Sequence, residues 1–105
     1  MEESKEILKT IKITARYYFP EAEVMLFGSR ARGKASSESD YDILIITHQT
    51  LTPKQKLPFK SKIRKALLKK EIRSDILIQS KKEIQTKKKL PGHIIRNILN
   101  EGVSL

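Results

Sequence analysis

The sequence predicts a small α/β or α+β domain, in which about three strands form a mixed sheet flanked by helices. Three short runs rich in β-branched residues predict the strands, at 23–27, 41–46 and 75–79. Stretches with apolar residues at helical spacing flank these runs, which indicates helices packed on the sheet. A chain of 105 residues has the usual size of one domain, so we expect a single domain over 1–105.

Apolar periodicity predicts four main helices. The first covers 4–18, and the second carries an apolar stripe over 59–67 that is expected to start near Pro58, a residue suited to a first turn. A weakly helical stretch over 81–90 follows the third strand. A last short helix has an apolar face that consists of Ile94, Ile95, Ile98 and Leu99.

The net charge of +10 favours an acidic partner such as a nucleotide, a nucleic acid or an acidic protein surface. Most of the excess lies between Lys54 and Lys89, where a lysine-rich helix face is expected. No aromatic residues are interleaved there to stack on bases, so a solvated face is favoured over a nucleic-acid groove.

The chain contains no cysteine, which excludes disulfides and thiolate metal sites. It also contains no apolar run long enough for a signal peptide or a membrane span. These features predict a cytoplasmic protein with no membrane partner.

Two aspartates one residue apart stand at the start of the second predicted strand. Residues i and i+2 of a strand point to the same face, so Asp40 and Asp42 are expected to project together while Tyr41 faces away. Adjacent carboxylates resist ionising together unless a cation lies between them. Because short carboxylates suit Mg²⁺, the pair predicts a divalent metal site.

The third aspartate of the chain, Asp75, also stands at the start of a predicted strand. If the second and third strands run parallel, all three carboxylates converge at one edge of the sheet. The first strand ends at Gly28 and Ser29, so it must run antiparallel to the second for these residues to reach the same edge. The expected sheet is therefore mixed.

The segment GSRARG after the first strand offers groups that bind anions. Gly28 allows the backbone to come close to a ligand, and the amides from Ser29 onward would donate to phosphate if they opened a short helix. Arg30 and Arg32 either neutralise phosphate charge, or face solvent or pair with Glu38. Both interpretations of the arginines stay open.

The combination of Gly28-Ser29, ten intervening residues and Asp40-Tyr41-Asp42 resembles the signature of the minimal nucleotidyltransferases of the polymerase-beta nucleotidyltransferase superfamily. The detailed resemblance runs over 24–46, and Asp75 matches the third carboxylate. Each feature alone is common in surface turns, but their combination disfavours that interpretation. The resemblance implies a polymerase-beta-like nucleotidyltransferase fold and transfer of a nucleoside monophosphate from a nucleoside triphosphate to an acceptor hydroxyl.

The same resemblance implies a role for each site residue. Asp40 and Asp42 would hold two Mg²⁺ ions, for which Mn²⁺ can substitute. Asp75 would hold the ion nearer the acceptor and help to accept its proton. Gly28, Ser29 and the neighbouring amides would bind the β- and γ-phosphates of ATP.

Chains of this size resemble the minimal nucleotidyltransferase antitoxins that are paired with HEPN-domain ribonuclease toxins. This resemblance implies a type VII-like toxin-antitoxin pair, in which AMP from ATP is attached to a tyrosine of the toxin. One alternative is nucleotidyl transfer to a small molecule, as in antibiotic-modifying relatives that usually carry a further helical domain. The other is a non-catalytic antitoxin or nucleic-acid-binding module.

The apolar C-terminal segment HIIRNIL has two interpretations. An apolar helical stripe is normally core, so packing on the chain's own sheet is favoured. The alternative is that part of it docks a helical HEPN partner and positions an acceptor tyrosine over Asp75. The last residues, EGVSL, are expected to fray.

Overall fold

A computed structural model describes residues 5–33 and 39–105, which form a four-stranded mixed sheet with helices on both faces. The elements in chain order are α1 (Lys5–Tyr18), β1 (Glu23–Phe27), α2 (Gly28–Ala31), β2 (Tyr41–Thr47), α3 (Pro53–Leu68), β3 (Ser74–Ser80), α4 (Lys81–Lys87), α5 (Ile94–Glu101) and β4 (Val103–Ser104). The predicted α/β class is confirmed. None of the helices in these two ranges is long and apolar enough to cross a membrane.

The sheet has the strand order β3-β2-β1-β4. β1 runs antiparallel to β2 and places Phe27 opposite Asp42. β2 runs parallel to β3 and places Asp42 opposite Asp75. The predicted strand directions are therefore confirmed, and the end of β1 meets the starts of β2 and β3 at one edge of the sheet.

Both faces of the sheet are buried, which explains why its strands are apolar at successive positions. One face packs against α1 and α3, and the opposite face packs against α4 and α5. The helix residues buried on the first face include Ile11, Ala15, Ile63 and Leu67. The helix residues buried on the second face are Ile84, Ile95 and Ile98.

Helix α3 begins at Pro53, five residues before the predicted start near Pro58. The Thr52 hydroxyl accepts a hydrogen bond from the Gln55 amide at 3.1 Å, and the Gln55 side chain accepts one from the Thr52 amide at 2.9 Å. This capping box satisfies two amides and permits proline in the first turn. Pro58 lies inside the helix instead, which corrects the predicted boundary.

The C-terminal residues form an edge strand, and the prediction that they fray is wrong. In β4, Val103 lies opposite Leu26 and Ser104 lies opposite Met25. The amide of Leu105 donates to the carbonyl of Val24 at 2.9 Å. Backbone groups on the outer edge of β1 need hydrogen-bond partners, and the C-terminal segment supplies them.

Helix α5 packs on its own sheet, as the favoured interpretation predicted. Ile95 and Ile98 are each only 2% exposed, whereas Ile94 on the same helix is 52% exposed. Docking of a partner by α5 stays a prediction, and the buried residues of this helix are already occupied in the core.

A half-buried ion pair joins α3 to α4 at the far end of β3. The Lys56 ammonium donates to both carboxylate oxygens of Glu83, at 3.1 and 3.0 Å, and the Ser80 amide donates to the same carboxylate at 2.9 Å. Burial raises the pKa of Glu83, but the Ser80 and Lys56 hydrogen bonds and the charges of Lys56 and Lys87 outweigh it and lower the pKa overall. The pair therefore stabilises the folded state while Glu83 is ionised.

Replacing Lys56 with alanine should lower the free energy of unfolding by about 1–3 kcal/mol, because the Glu83 carboxylate loses its closest cation. The matched control is Lys62→Ala, which removes an exposed lysine of the same helix and should change stability by less than about 0.5 kcal/mol. Urea unfolding at neutral pH measures both variants. Equal stabilities of the two would contradict the assignment.

The stabilisation by Glu83 should also depend on pH. A lowered folded-state pKa means that the contribution is present above the ordinary value of 4.5 and is lost as the pH falls through the folded-state value. The stability difference between the natural chain and Glu83→Gln should therefore shrink in acid, as followed by urea unfolding over a pH series. A difference that stays constant through the acid range would contradict this account.

Candidate active site

Two of the three aspartates lie side by side at the edge where β1, β2 and β3 meet. Asp42 and Asp75 are opposite each other in the parallel register of β2 and β3, so their side chains share one face of the sheet. Asp42 is half-buried and Asp75 is exposed. Asp40 lies just before β2 and is exposed. The structure thus brings the predicted carboxylates to one sheet edge.

Gly28 lies against Asp42, and no other residue type fits its position. Its backbone has a φ of +72°, a left-handed conformation that side chains with a β-carbon rarely adopt. A β-carbon built on Gly28 would also collide with Oδ2 of Asp42. The turn after β1 is therefore held directly against the carboxylate that is central to the site.

The electrostatic environment of Asp42 favours a cation or a proton at this edge. Burial raises the pKa of Asp42, the neighbouring charges of Asp75 and Asp40 raise it further, and Arg32 partly opposes them. The net result is a pKa above the ordinary value of 3.8. The charges of Asp40 and Asp75 therefore both repel the charge of ionised Asp42.

The donor chemistry at this edge fits a hard divalent cation. Carboxylate oxygens are the ligands that Mg²⁺ prefers, and such an ion relieves the repulsion at Asp42. Within residues 5–33 and 39–105, however, no three aspartate, glutamate, histidine or cysteine side chains lie close enough together to form a complete metal site. Asp42 and Asp75 are the adjacent pair, and Asp40 is exposed and paired with Arg73.

Arg73 is an ion-pair partner of Asp40 that was not predicted from the sequence. Nε of Arg73 lies 3.6 Å from Oδ1 of Asp40, and both side chains are more than half exposed. The sequence contained a signal for this pair, because Asp40 precedes Asp42 by two residues and Arg73 precedes Asp75 by two. Extending the parallel register backward places the two residues opposite each other.

Ser29 is the second residue of α2, one residue beyond the contact between Gly28 and Asp42. Phe27, the residue before α2, is extended and has no side-chain oxygen that could accept a hydrogen bond from the first amides of this one-turn helix. The predicted phosphate-binding groups therefore stand beside the carboxylates. Ser29 itself is half-buried.

Arg30 holds the start of β2 in place. Its Nη2 and Nε atoms donate to the carbonyl of Ser39 at 2.7 and 3.1 Å. The carbon of its guanidinium lies 4.1 Å from the centre of the buried Tyr41 ring, within cation–π range. The geometry of Arg30 therefore favours a positioning role, while direct phosphate contact stays a prediction.

Arg32 forms an ion pair with helix α5. Its Nη1 lies 3.8 Å from Oε2 of Glu101 in α5, and both side chains are more than half exposed. Its charge also lowers the pKa of Asp42, so it acts on the carboxylate cluster. The alternative partner, Glu38, lies outside the described residues.

Sequence comparison identifies relatives of this chain. Residues 9–105 match the family model described as Polymerase beta, Nucleotidyltransferase. A candidate protein adenylyltransferase of Methanocaldococcus jannaschii is 38% identical over 82 residues, which cover 78% of this chain and 76% of the relative.

Solved structures share the fold at low sequence identity. One is a toxin-antitoxin complex with AMP-PNP, with a TM-score of 0.64, 20% identity, and 91% of this chain and 69% of that chain covered. A second is the complex of a tri-AMPylated Shewanella oneidensis HEPN toxin with its MNT antitoxin, with a TM-score of 0.56, 18% identity, and coverages of 95% and 69%. A nucleotidyltransferase-like chain of Sulfolobus solfataricus has a TM-score of 0.54, 23% identity, and coverages of 94% and 76%.

The family match extends over both the carboxylate edge and the turn at Gly28, and the relative and the fold agree with it. This chain belongs to the polymerase beta nucleotidyltransferase family and is a nucleotidyltransferase.

Proposed function

We propose that this chain is a Mg²⁺-dependent adenylyltransferase that transfers AMP from ATP to a tyrosine hydroxyl of a HEPN ribonuclease toxin, as the antitoxin of a toxin-antitoxin pair. The observation that carries the proposal is the juxtaposition of Asp42, Asp75 and Gly28 at one sheet edge. A relative of this chain is named for protein adenylylation, and structures with the same fold contain AMP-PNP or an AMPylated HEPN toxin.

Each residue at the sheet edge has its own role in the proposed reaction. Gly28 and Ser29 bind the β- and γ-phosphates of ATP, with the backbone close enough only because Gly28 has no side chain. Asp42 and Asp75 would hold Mg²⁺, and Asp40 would be a third ligand in place of its pairing with Arg73. When bound, Mg²⁺ neutralises phosphate charge and lowers the pKa of the acceptor hydroxyl.

The exposed Asp75 acts on the acceptor hydroxyl in this proposal. In the proposed step, Asp75 takes the proton of the tyrosine hydroxyl as the hydroxyl oxygen forms its bond to the α-phosphorus of ATP. The bond from that phosphorus to the bridging oxygen breaks, and pyrophosphate leaves. Because Asp75 and Asp40 both face solvent, a protein partner supplies the remaining walls of the site.

The proposed transfer is repeated on the same toxin. In the Shewanella complex the toxin is tri-AMPylated. We extend this to the present chain, which transfers more than one AMP group to its toxin partner.

The proposed function is tested with radiolabelled ATP and Mg²⁺, in the presence and absence of a purified HEPN toxin encoded beside this chain. Label should appear on the toxin and should disappear when its acceptor tyrosine is replaced by phenylalanine. Label on added small molecules instead would favour the alternative substrate class. Inhibition of the toxin without any labelling would favour a non-catalytic antitoxin.

Replacing Asp42 with asparagine should reduce AMP transfer by about 100-fold or more, since metal-held phosphate oxygens contribute several kcal/mol to transition-state stabilisation. Glu21→Gln is the control, an exposed carboxylate at the opposite end of β1, and should keep its activity. Transfer rates are measured with labelled ATP at saturating Mg²⁺. Asp42→Asn turnover close to that of the natural chain would remove this residue from the metal site.

The same variant should be more stable than the natural chain at neutral pH without metal. A raised folded-state pKa means that ionised Asp42 destabilises the fold, fully above that pKa and not at all well below the ordinary value of 3.8. The gain in Asp42→Asn should therefore vanish in acid, and Mg²⁺ with ATP should stabilise only the natural chain. Urea unfolding across pH measures the gain, and an equal gain at every pH would contradict this cause.

Replacing Gly28 with alanine should impair both ATP binding and folding, because a β-carbon collides with Asp42 as well as straining the backbone. Gly92→Ala is the matched control, with a φ of +73° and no atom of the described residues within 4 Å of a built β-carbon. Both variants should lose about 1 kcal/mol of stability from backbone strain, and only Gly28→Ala should also lose ATP affinity. Calorimetry and urea unfolding separate the two effects, and equal ATP affinities would refute the close-contact role of Gly28.

A further inference from the structure

A basic cavity lies beside α3, on the face of the sheet that α1 and α3 cover. Its volume is about 440 Å³, within the range of small-molecule sites. Helix α3 contributes Ser61, Arg64, Lys65 and Leu68 to its lining, and β3 contributes Ser74. The other residues that line it are Asp40, Ile72 and Arg73.

This cavity is separate from the candidate active site. Ser74 alternates with Ile76, which packs in the cluster formed with α1 and α3. Asp75 alternates with Leu77, which packs in the opposite cluster with α4 and α5. The cavity and the paired carboxylates of Asp42 and Asp75 therefore belong to opposite faces of the sheet, so the cavity is a second site.

The charge of the lining favours an anion. Arg73 is paired with Asp40, so these two charges offset each other. Arg64 and Lys65 are exposed, and neither forms an ion pair with another residue of the ranges 5–33 and 39–105. Two positive charges are thus in excess on one wall, and guanidinium and ammonium groups suit the oxygens of a phosphate group.

A buried hydroxyl in the same cavity points independently to a ligand. Ser74 is only 9% exposed, and its Oγ has no hydrogen-bond partner among the described residues. Buried hydroxyls nearly always have a partner, because leaving one without a hydrogen bond is unfavourable. Since Ser74 lines the cavity, its hydroxyl is a donor for a molecule that enters there.

The lining also has an apolar part. Leu68 is 58% exposed at the cavity, whereas Ile72 beside it is buried. An organic group bound there would remove part of the Leu68 side chain from water, which favours binding. The cavity thus offers contacts both to an anionic group and to a carbon skeleton attached to it.

We infer that the cavity binds a small phosphomonoester, which goes beyond the proposed AMP transfer and does not depend on it. Arg64 and Lys65 hold phosphate oxygens, and the Ser74 hydroxyl donates a hydrogen bond to the same group. The organic part of the ester packs on Leu68 and Ile72. Inorganic phosphate lacks that part and therefore binds more weakly.

The test is a titration followed by nuclear magnetic resonance. The probes are phenyl phosphate, inorganic phosphate, phenol, and a neutral peptide that carries one phosphoserine. The amide signals of Ser61 and Ser74 report on the cavity, and that of Ser29 reports on the turn after β1. Phenyl phosphate should shift the two cavity signals and bind about tenfold more tightly than inorganic phosphate, and phenol should shift neither.

Variants identify the groups that bind the phosphate. Arg64→Ala/Lys65→Ala should weaken phenyl phosphate binding about tenfold or more. Lys54→Ala/Lys62→Ala is the matched control, because it removes two exposed charges of α3 that do not line the cavity, and its affinity should stay close to that of the natural chain. If the first variant does not fold, Arg64→Gln is compared with Lys62→Gln.

Ser74→Ala tests the hydroxyl separately. It should weaken phenyl phosphate binding without lowering stability, because the hydroxyl has no hydrogen bond within the described residues to lose. Urea unfolding and the same titration measure the two effects. Unchanged affinity in Ser74→Ala would contradict the contact between this hydroxyl and the phosphate.

Three further results would overturn the assignment. Shifts of the Ser29 signal alone would assign phosphate binding to the turn after β1, and equal weakening in both double variants would reduce it to general charge attraction. Tighter binding of the phosphoserine peptide than of phenyl phosphate would assign the cavity to an ester carried by a protein.

Discussion

The position of β2 between an antiparallel and a parallel neighbour is the constraint on which the site depends. Only this register places Asp42 opposite Phe27 on one side and opposite Asp75 on the other. A slip of one residue would turn Asp42 to the face packed by α1 and α3 and would separate it from Asp75. Because β2 is apolar on both faces, alternation alone does not fix this register, but a slip would bury the Asp42 carboxylate against α1 and α3, which is unfavourable.

Repulsion among the three carboxylates destabilises the folded chain, and other interactions in the fold must offset it. Asp42 is half-buried beside two other carboxylates, which raises its pKa and destabilises the chain without a cation. Arg30 offsets part of this locally by holding the carbonyl of Ser39 and stacking on Tyr41, so that β2 starts at a defined position. At the far end of β3, the Lys56–Glu83 pair ties α3 to α4. The scaffold around the three carboxylates therefore supplies the stability that this cluster removes.

Arg73 and Asp40 form an ion pair beside the carboxylate edge. Their ion pair lies where the carboxylate edge meets the basic cavity beside α3. Asp40 also acts on the carboxylate edge, because its charge raises the pKa of Asp42.

The sequence by itself determined the family, the mixed strand directions and the gathering of the aspartates at one sheet edge, because these follow from local spacing and motif. Alternating positions predicted which aspartates share a face, and the position of all three at strand starts predicted that they meet at one edge if the second and third strands run parallel. Tertiary structure decided the start of α3, since Pro53 and Pro58 both suit a first turn and the capping box of Thr52 selects between them. It also decided the pairing of β4, the collision that excludes a side chain at Gly28, the Arg73–Asp40 pair and the cavity beside Ser74. These features join residues that are distant in the chain. The local pattern of apolar and polar residues does not show which distant residues come into contact once the sheet and helices pack.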